Sequence, residues 1–205
     1  MTDIKNEQEV FWTGEFGNEY IARNKSEKLL AANLHMFSKI LQQTTEISSI
    51  TEFGCNIGMN FLALKKLLPY CSLKGVEINE SAIKKIGLEQ PDVQAQRGSI
   101  LDKQELRSDL TFTKGVLIHI HPDNLDKVYE NLYSNSNRYI LIAEYYNPQP
   151  VSVNYRGHEN KLFKRDFAGE MLDKYNNLEI VNYGFSYHRD PNFPQDDISW
   201  FLLKK

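Results

Sequence analysis

Apolar residues along the chain follow two spacings in turn, and this alternation predicts a regular succession of strands and helices. Short apolar runs indicate buried strands at Ser49–Phe53, Ser72–Ile78, Val93–Gly98, Asp109–Leu117 and Arg138–Glu144. Apolar residues three or four positions apart indicate helices at Ser26–Gln43, Met59–Leu68, Asn79–Leu88 and Asp123–Tyr133. Because strands alternate with helices up to residue 144, we expect parallel β-α-β units with right-handed crossovers.

The pattern changes after residue 144. A long connection, Tyr145–Lys164, precedes a helix at Asp166–Tyr175 and two further strands at Leu178–Ser186 and Ile198–Leu203. The last two strands resemble the hairpin that closes many sheets of this kind, so one of them is expected to run antiparallel. The predicted fold class is α/β: a Rossmann-like three-layer sandwich around a seven-stranded, mostly parallel sheet with one antiparallel strand.

Residues 1–24 show no regular spacing, although Asn18 to Asn24 can begin a helix. Aromatic residues from Phe11 to Tyr20, and again from Tyr145 to Tyr155, are interleaved with Gly, Asn and Arg. Aromatics in a polar, non-periodic segment are typical of pocket walls. We therefore expect residues 1–45 to form an N-terminal helical lid, with a simple packed arm as the alternative.

Composition and charge exclude several classes of function. The 205 residues are 41% hydrophobic and 25% charged, as in ordinary soluble domains. A net charge of −3 gives no basic footprint for nucleic acid or an anionic membrane. No apolar run reaches the roughly 18 residues of a membrane span, no signal peptide is visible, and the two cysteines have no metal or redox spacing. We expect a cytoplasmic monomer or homodimer without nucleic-acid or membrane partners.

The clearest chemistry lies in the turn after the first strand. Thr51–Gly58 runs from an apolar strand into a turn whose glycines permit close approach to a ligand. Gly75–Asn79 ends the next strand with Glu77, whose carboxylate can accept hydrogen bonds from both hydroxyls of a ribose. Carboxyl ends of neighbouring strands form one crevice in an open α/β sheet. The two stretches therefore predict a site for a nucleoside-bearing cofactor.

Other residues at the same edge suit the rest of such a cofactor. Ser99 can meet the edge of an adenine ring enclosed by Ile78 and Ile100, and N–H groups of the Gly54–Gly58 turn can hold a carboxylate. The alternative is a turn that is merely tight, with Glu77 capping a helix. The residues expected to contact the cofactor are Tyr20, Arg23, Glu52, Gly54, Cys55, Asn56, Gly58, Glu77, Ile78, Ser99, Ile100, Lys114 and Gly115.

These stretches resemble the class I S-adenosylmethionine-dependent methyltransferases. Glu52–Gly58 is similar to their first motif, acid-x-Gly-x-Gly-x-Gly, except that Asn56 replaces the middle glycine. Asn tolerates left-handed backbone angles better than most residues with a side chain, so the turn can survive. Ser99 stands where the family often has an Asp that contacts adenine. The resemblance implies S-adenosyl-L-methionine as the cofactor and S-adenosyl-L-homocysteine as the product.

Five stretches of the chain are long and unusual in sequence: Phe11–Tyr20, Phe112–Ile120, Ile140–Pro148, Tyr155–His158 and Tyr187–Asp197. Through them nearly the whole chain resembles the methylases associated with pseudaminic acid biosynthesis. This narrower resemblance implies methylation linked to assembly of nonulosonic-acid sugars (pseudaminic or legionaminic type) for bacterial surface glycans.

Candidates for the acceptor side lie beyond the cofactor motifs. Methyl transfer from a sulfonium requires alignment and exclusion of water, and a base only when the acceptor is a hydroxyl or a protonated nitrogen. Candidates for a catalytic role are Glu144, Tyr146, His158 and His119. Candidates for substrate contact are Trp12, Tyr145, Asn147, Tyr155, Arg156, His188 and Arg189.

Plainer roles are also open for these residues. Glu144 can pair with a lysine, His158 can be a surface residue, and His119 can make a structural contact. His119 and His121 alone are too few ligands for a metal site, and no metal is expected.

One domain is predicted, in which residues 49–144 form the cofactor-binding core and residues 145–205 a substrate-side insertion and closing hairpin. The expected activity is transfer of a methyl group to nitrogen or oxygen of a small, sugar-type molecule. One alternative is a non-catalytic accessory protein that binds S-adenosylmethionine or S-adenosylhomocysteine. Another is an NAD(P)-binding oxidoreductase, although the turn is Gly54-x-x-x-Gly58 rather than Gly-x-Gly-x-x-Gly, and no Tyr-x-x-x-Lys pair is present.

Overall fold

The computed structural model describes residues 6–23 and 26–205, and a seven-stranded sheet lies at its centre. Its helices are α1 Glu7–Thr13, α2 Glu15–Arg23, α3 Glu27–Leu41, α4 Met59–Leu67, α5 Glu80–Glu89, α6 Leu125–Asn135 and α7 Phe167–Lys174. Its strands are β1 Ser49–Phe53, β2 Ser72–Glu77, β3 Gln94–Arg97, β4 Ser108–Lys114, β5 Ser136–Glu144, β6 Val151–Tyr155, β7 His158–Lys164, β8 Glu179–Ser186 and β9 Ile198–Lys204.

The order of strands in the sheet is β3-β2-β1-β4-β5-β9-β8. Strands β1 to β5 pair in parallel, whereas β9 pairs antiparallel with both β5 and β8. The predicted fold, a mostly parallel sheet with one antiparallel strand, is therefore confirmed. Chain order reverses between β1 and β4, and the carboxyl ends of the strands beside this reversal border an open crevice.

Apolar side chains bury both faces of the sheet. One core contains Phe37 of α3 and Phe61 of α4 against Phe112, and the other contains Phe167 and Met171 of α7 against strand residues such as Ile140. Burial on both faces explains why residues 139–143 of β5 read as a continuous apolar run rather than as an alternating one. The sheet is thus a rigid support for the residues at its carboxyl edge.

Three sequence-based expectations need correction. The N-terminal segment is helical, as expected of it, but residues 7–23 form two short helices where the sequence shows no regular spacing, and Asn6 caps the first by accepting a hydrogen bond from the Glu9 N–H at 2.9 Å. The connection after β5 contains the β6–β7 hairpin, whose register shifts between Val153 and Tyr155. Strand β4 ends at Lys114, earlier than expected, because Gly115 turns the chain with a φ of +66°.

The helix boundaries elsewhere have local causes that the sequence shows. Asn79 caps α5, as expected, through hydrogen bonds that its Oδ1 accepts from the N–H groups of Ser81 and Ala82. Pro69 follows the end of α4. Among the helices that the structure describes, none has both the length and the apolar character needed to cross a membrane.

Substitution of Gly58 should destabilise the protein. Its φ is +76°, and a Cβ there would lie 2.6 Å from Nε2 of Gln90, whose amide donates to the Ile57 and Gly58 carbonyls. We expect Gly58→Ala to lower the free energy of unfolding by roughly 1–3 kcal/mol, measured by urea denaturation. Gly87→Ala is the control, because a Cβ at Gly87 has no neighbour within 4 Å and alanine favours the helix by about 1 kcal/mol. Equal effects of the two substitutions would contradict the prediction.

Candidate active site

A cavity of about 220 Å³ lies at the carboxyl edge of the sheet, beneath α1 and α2. Most of the residues predicted from sequence to contact a cofactor contribute to its wall. They are Tyr20, Glu52, Gly54, Cys55, Asn56, Glu77, Ile78, Ser99, Ile100, Lys114 and Gly115. Gly58 is buried behind the turn as the cap of α4, outside the cavity wall, and the side chain of Arg23 lies outside the described residues.

The turn between β1 and α4 has three residues with positive φ: Gly54 at +83°, Asn56 at +44° and Gly58 at +76°. Asn56 thus adopts the left-handed conformation expected of it. A Cβ at Gly54 would lie 2.6 Å from the Val116 side chain, so this glycine is also required for packing against the chain that follows β4.

The N–H groups of this turn are mostly engaged within the protein. Those of Gly54 and Cys55 donate to the Val76 carbonyl, that of Gly58 to the Cys55 carbonyl, and that of Asn56 to Glu77 at 2.8 Å. These four groups do not point to a ligand carboxylate, which corrects the expectation from sequence. They instead fix the turn to the end of β2.

Glu77 is the carboxylate that joins the turn to β2. Its Oε2 accepts the Asn56 N–H and its Oε1 accepts the Asn79 N–H, each at 2.8 Å. Burial raises the pKa of Glu77, and these backbone hydrogen bonds oppose the rise. The side chain lines the cavity, so its contact with a ribose remains a reasonable prediction.

Glu52 is a second buried carboxylate in the cavity wall. Its Oε1 accepts a hydrogen bond from Asn60, and its Oε2 is buried without a hydrogen-bond partner in the described part of the chain. Burial raises the pKa of Glu52 to about 8. Lys114 lines the same cavity, and its pKa is lowered by burial despite the attraction of Glu52, Asp196 and Glu144. An unpaired buried oxygen needs an explanation, and a bound hydrogen-bond donor would supply one.

Helices α1 and α2 form the roof of the cavity, to which they contribute Trp12 and Tyr20. The Asn79 amide donates to the Trp12 carbonyl at 3.0 Å and to Asn18 Oδ1 at 3.1 Å. On the opposite side, Lys161 of β7 pairs with Glu7. The Phe11 ring packs edge-on against the His158 ring, with 5.1 Å between the ring centres. The roof therefore contacts both the end of β2 and the β6–β7 hairpin.

His119 stands on a short 3-10 turn, Leu117–His119, that follows β4. Its Nδ1 lies 2.7 Å from the Lys161 carbonyl. A carbonyl only accepts hydrogen bonds, so Nδ1 carries the proton and Nε2 is left as an acceptor. Burial lowers the pKa of His119 to about 4, and the ring is neutral at physiological pH. It lines the cavity between Trp12 and Tyr155, at 4.7 and 4.9 Å between ring centres.

Glu144 is buried beneath this turn rather than exposed to the cavity. Its carboxylate accepts hydrogen bonds from the N–H groups of Val116 at 3.0 Å, Leu117 at 3.1 Å and Ile118 at 3.5 Å. Burial raises its pKa to about 7. Glu144 therefore supports the turn that carries His119, in place of the lysine pair or the contact with a methyl acceptor expected from sequence.

Several other candidates lie outside the cavity wall. Successive residues of an extended chain point to opposite sides, so Tyr145 lines the cavity while Tyr146 is exposed and packs on Phe201. The β6–β7 hairpin places only Tyr155 in the wall. The candidates that do not line the cavity are Glu144, Tyr146, Asn147, Arg156, His158, His188 and Arg189.

Some wall residues were not singled out from sequence. Asn33 lies on the buried side of α3, where its Oδ1 accepts from Gln195 at 3.0 Å and its Nδ2 is buried without a hydrogen-bond partner among the described residues. A polar residue on the apolar side of a helix was the available signal. Glu9 gave no such signal. It is buried because it lies on α1, and the spacing of apolar residues in the sequence did not reveal that helix.

Comparison with known proteins shows the fold. No protein-family model matches the chain, and no curated protein matches it in sequence. Magnesium protoporphyrin IX methyltransferase (ChlM) from Synechocystis PCC 6803 with bound SAH has a TM-score of 0.69 at 11% identity, over 96% of this chain and 97% of that chain. Plantazolicin methyltransferase BpumL with a pentazolic desmethylPZN analog and SAH has a TM-score of 0.65 at 15% identity, over 96% and 94%.

A further similar structure is an S-adenosylmethionine-dependent methyltransferase from Clostridium acetobutylicum ATCC 824. Its TM-score is 0.64 at 10% identity, over 92% of this chain and 97% of that chain. At such identities the likeness concerns the arrangement of the elements. The chain has the fold of the S-adenosylmethionine-dependent methyltransferases.

Proposed function

We propose that this protein transfers a methyl group from S-adenosylmethionine to nitrogen or oxygen of a small molecule. The observation that carries the proposal is the roofed cavity at the carboxyl edge of the sheet, whose wall contains residues 54–57 of the turn and Glu77. Two of the similar structures contain S-adenosylhomocysteine. A nonulosonic-acid sugar or its nucleotide-linked form is our candidate acceptor, on the resemblance described from sequence.

The cavity wall offers partners for the ribose, the adenine and the amino group of the cofactor. Glu77 can accept hydrogen bonds from the ribose hydroxyls, and Ile78 and Ile100 provide apolar contact for adenine. The buried, unpaired Oε2 of Glu52 suits the cationic amino group of the methionine part. This last contact would also explain why a carboxylate is retained at a position where burial raises its pKa.

The bound cofactor would supply a methyl group on an already activated sulfonium carbon. The roof residues Trp12 and Tyr20 would exclude water from the reacting atoms. Nε2 of neutral His119 can accept a hydrogen bond from the acceptor and hold it in position. Because the pKa of His119 is about 4, the imidazole is a weak base, so this hydrogen bond orients the acceptor and does not remove its proton.

Calorimetric titration with S-adenosylmethionine, S-adenosylhomocysteine and NAD tests the cofactor assignment. We expect micromolar binding of the first two ligands and a roughly 10- to 100-fold loss in Glu77→Ala, because the ribose hydroxyls lose a buried acceptor. Glu80→Ala is the matched control, since Glu80 is exposed and pairs with Lys84 and Arg97. Binding of NAD alone would instead indicate an oxidoreductase.

Glu52→Gln should weaken cofactor binding and yet stabilise the free protein. The folded-state pKa of Glu52 is about 8, above the unfolded value of 4.5, so the native state holds this proton more tightly. The contribution of Glu52 to the free energy of unfolding is favourable below pH 4.5 and is lost as the pH rises towards 8. Thermal unfolding at pH 5 and pH 8 should show a larger gain from the substitution at pH 8. A gain that is independent of pH would contradict the raised pKa.

Turnover separates an enzyme from an accessory binding protein and distinguishes the two candidate histidines. With amino-bearing nonulosonic acids, free and nucleotide-linked, as acceptors, we expect His119→Ala, which removes the Nε2 acceptor, to lower kcat by roughly 10-fold while S-adenosylhomocysteine binding is retained. His158→Ala is the control outside the cavity and should keep near-normal turnover. Cofactor binding without turnover on any acceptor would favour the accessory role.

A further inference from the structure

The end of the cavity beside β3 is where the proposed cofactor would place its adenine. Glu77 stands at the end of β2, and a base attached to a ribose held there extends towards the neighbouring strand β3. Ile78, Ser99 and Ile100 line the cavity at this end. The inference below rests on the proposed cofactor and concerns what recognises the edge of its base.

Ser99 is the polar side chain that follows β3, but its hydroxyl is already engaged. Its Oγ donates a hydrogen bond to the carboxylate of Glu9 and accepts one from the Leu101 N–H at 3.0 Å. A hydroxyl has a single proton to donate. The hydroxyl of Ser99 therefore has no proton left to donate to a base. The hydrogen-bond acceptor beside it is the carboxylate of Glu9.

Glu9 comes from the roof helix α1 and is buried, with 6% of its surface exposed. It lines the cavity, and its backbone is held by the cap at Asn6 and by the hydroxyl of Thr13, which donates to the Glu9 carbonyl at 2.8 Å. Burial of a carboxylate is costly unless hydrogen-bond donors surround it. Glu7, two residues earlier on the same helix, is exposed and pairs with Lys161. The Glu9 carboxylate of α1 thus lies at the cavity, and the Glu7 carboxylate lies at the β6–β7 hairpin.

We propose that Glu9 is the residue that selects adenine, by accepting a hydrogen bond from the exocyclic amino group of the base. A carboxylate has about four acceptor positions, so Glu9 can accept a hydrogen bond from the base while it keeps the one from Ser99. The acidic group that recognises the base then belongs to the roof rather than to the sheet. Recognition of adenine then depends on α1 being in its place over the cavity.

The test compares S-adenosylhomocysteine with its analogue in which purine replaces adenine, so that only the amino group is missing. For the unaltered protein we expect calorimetric Kd values that differ roughly 10- to 100-fold, as for a hydrogen bond to a charged group. In Glu9→Ala the two Kd values should agree within about twofold. Glu9→Gln, whose amide oxygen still accepts, should give an intermediate ratio.

Glu7→Ala is the matched control, because it loosens the same helix without removing the acceptor. It should raise both Kd values equally and leave their ratio unchanged. If Glu9→Ala raises both values equally as well, Glu9 only holds the roof in place and the proposal is overturned. Should Glu9→Ala fail to fold, an unaltered ratio in Glu9→Gln would overturn it. Failure of the unaltered protein to bind S-adenosylhomocysteine would instead reject the cofactor.

Discussion

The hydrogen bond between the Asn56 N–H and the carboxylate of Glu77 is the contact on which the site depends. It joins the left-handed turn after β1 to the end of β2, and the second oxygen of Glu77 continues the connection to the start of α5 through Asn79. Three elements that are separate in sequence thereby form one floor. The roof helices attach to the same point, since Asn79 also donates to the Trp12 carbonyl.

Buried carboxylates perform different tasks around this floor. Glu77 and Glu144 accept backbone N–H groups and shape the chain, whereas Glu52 keeps an oxygen without a partner in the described part of the chain. Burial raises the pKa of all three, which reflects how little water reaches them. A pKa shift alone would not distinguish support from binding, and the hydrogen-bond partners make that distinction.

The floor of the cavity was largely predictable because its signals are local in sequence. The turn, its acid and the cap at Asn79 are each specified by a few consecutive residues, and β1 was placed at its observed bounds. A helical N-terminal lid was predicted, but the bounds of α1 and α2 were not, because the aromatic side of these helices faces a cavity and lacks the spacing of a helix on a core. The acceptor side depends on how β6–β7 turns its side chains, so Tyr155 reached the wall while Arg156 and His158 did not.

The turn between β1 and α4 has a thermodynamic consequence for any ligand that lies against it. Three of its five residues occupy left-handed angles, and four of its N–H groups are bonded within the protein. Its shape is therefore set before a ligand arrives. Ordering a backbone residue costs about 1–2 kcal/mol, and a preorganised turn spares the ligand that conformational entropy. Affinity at the floor can thus come from few direct contacts.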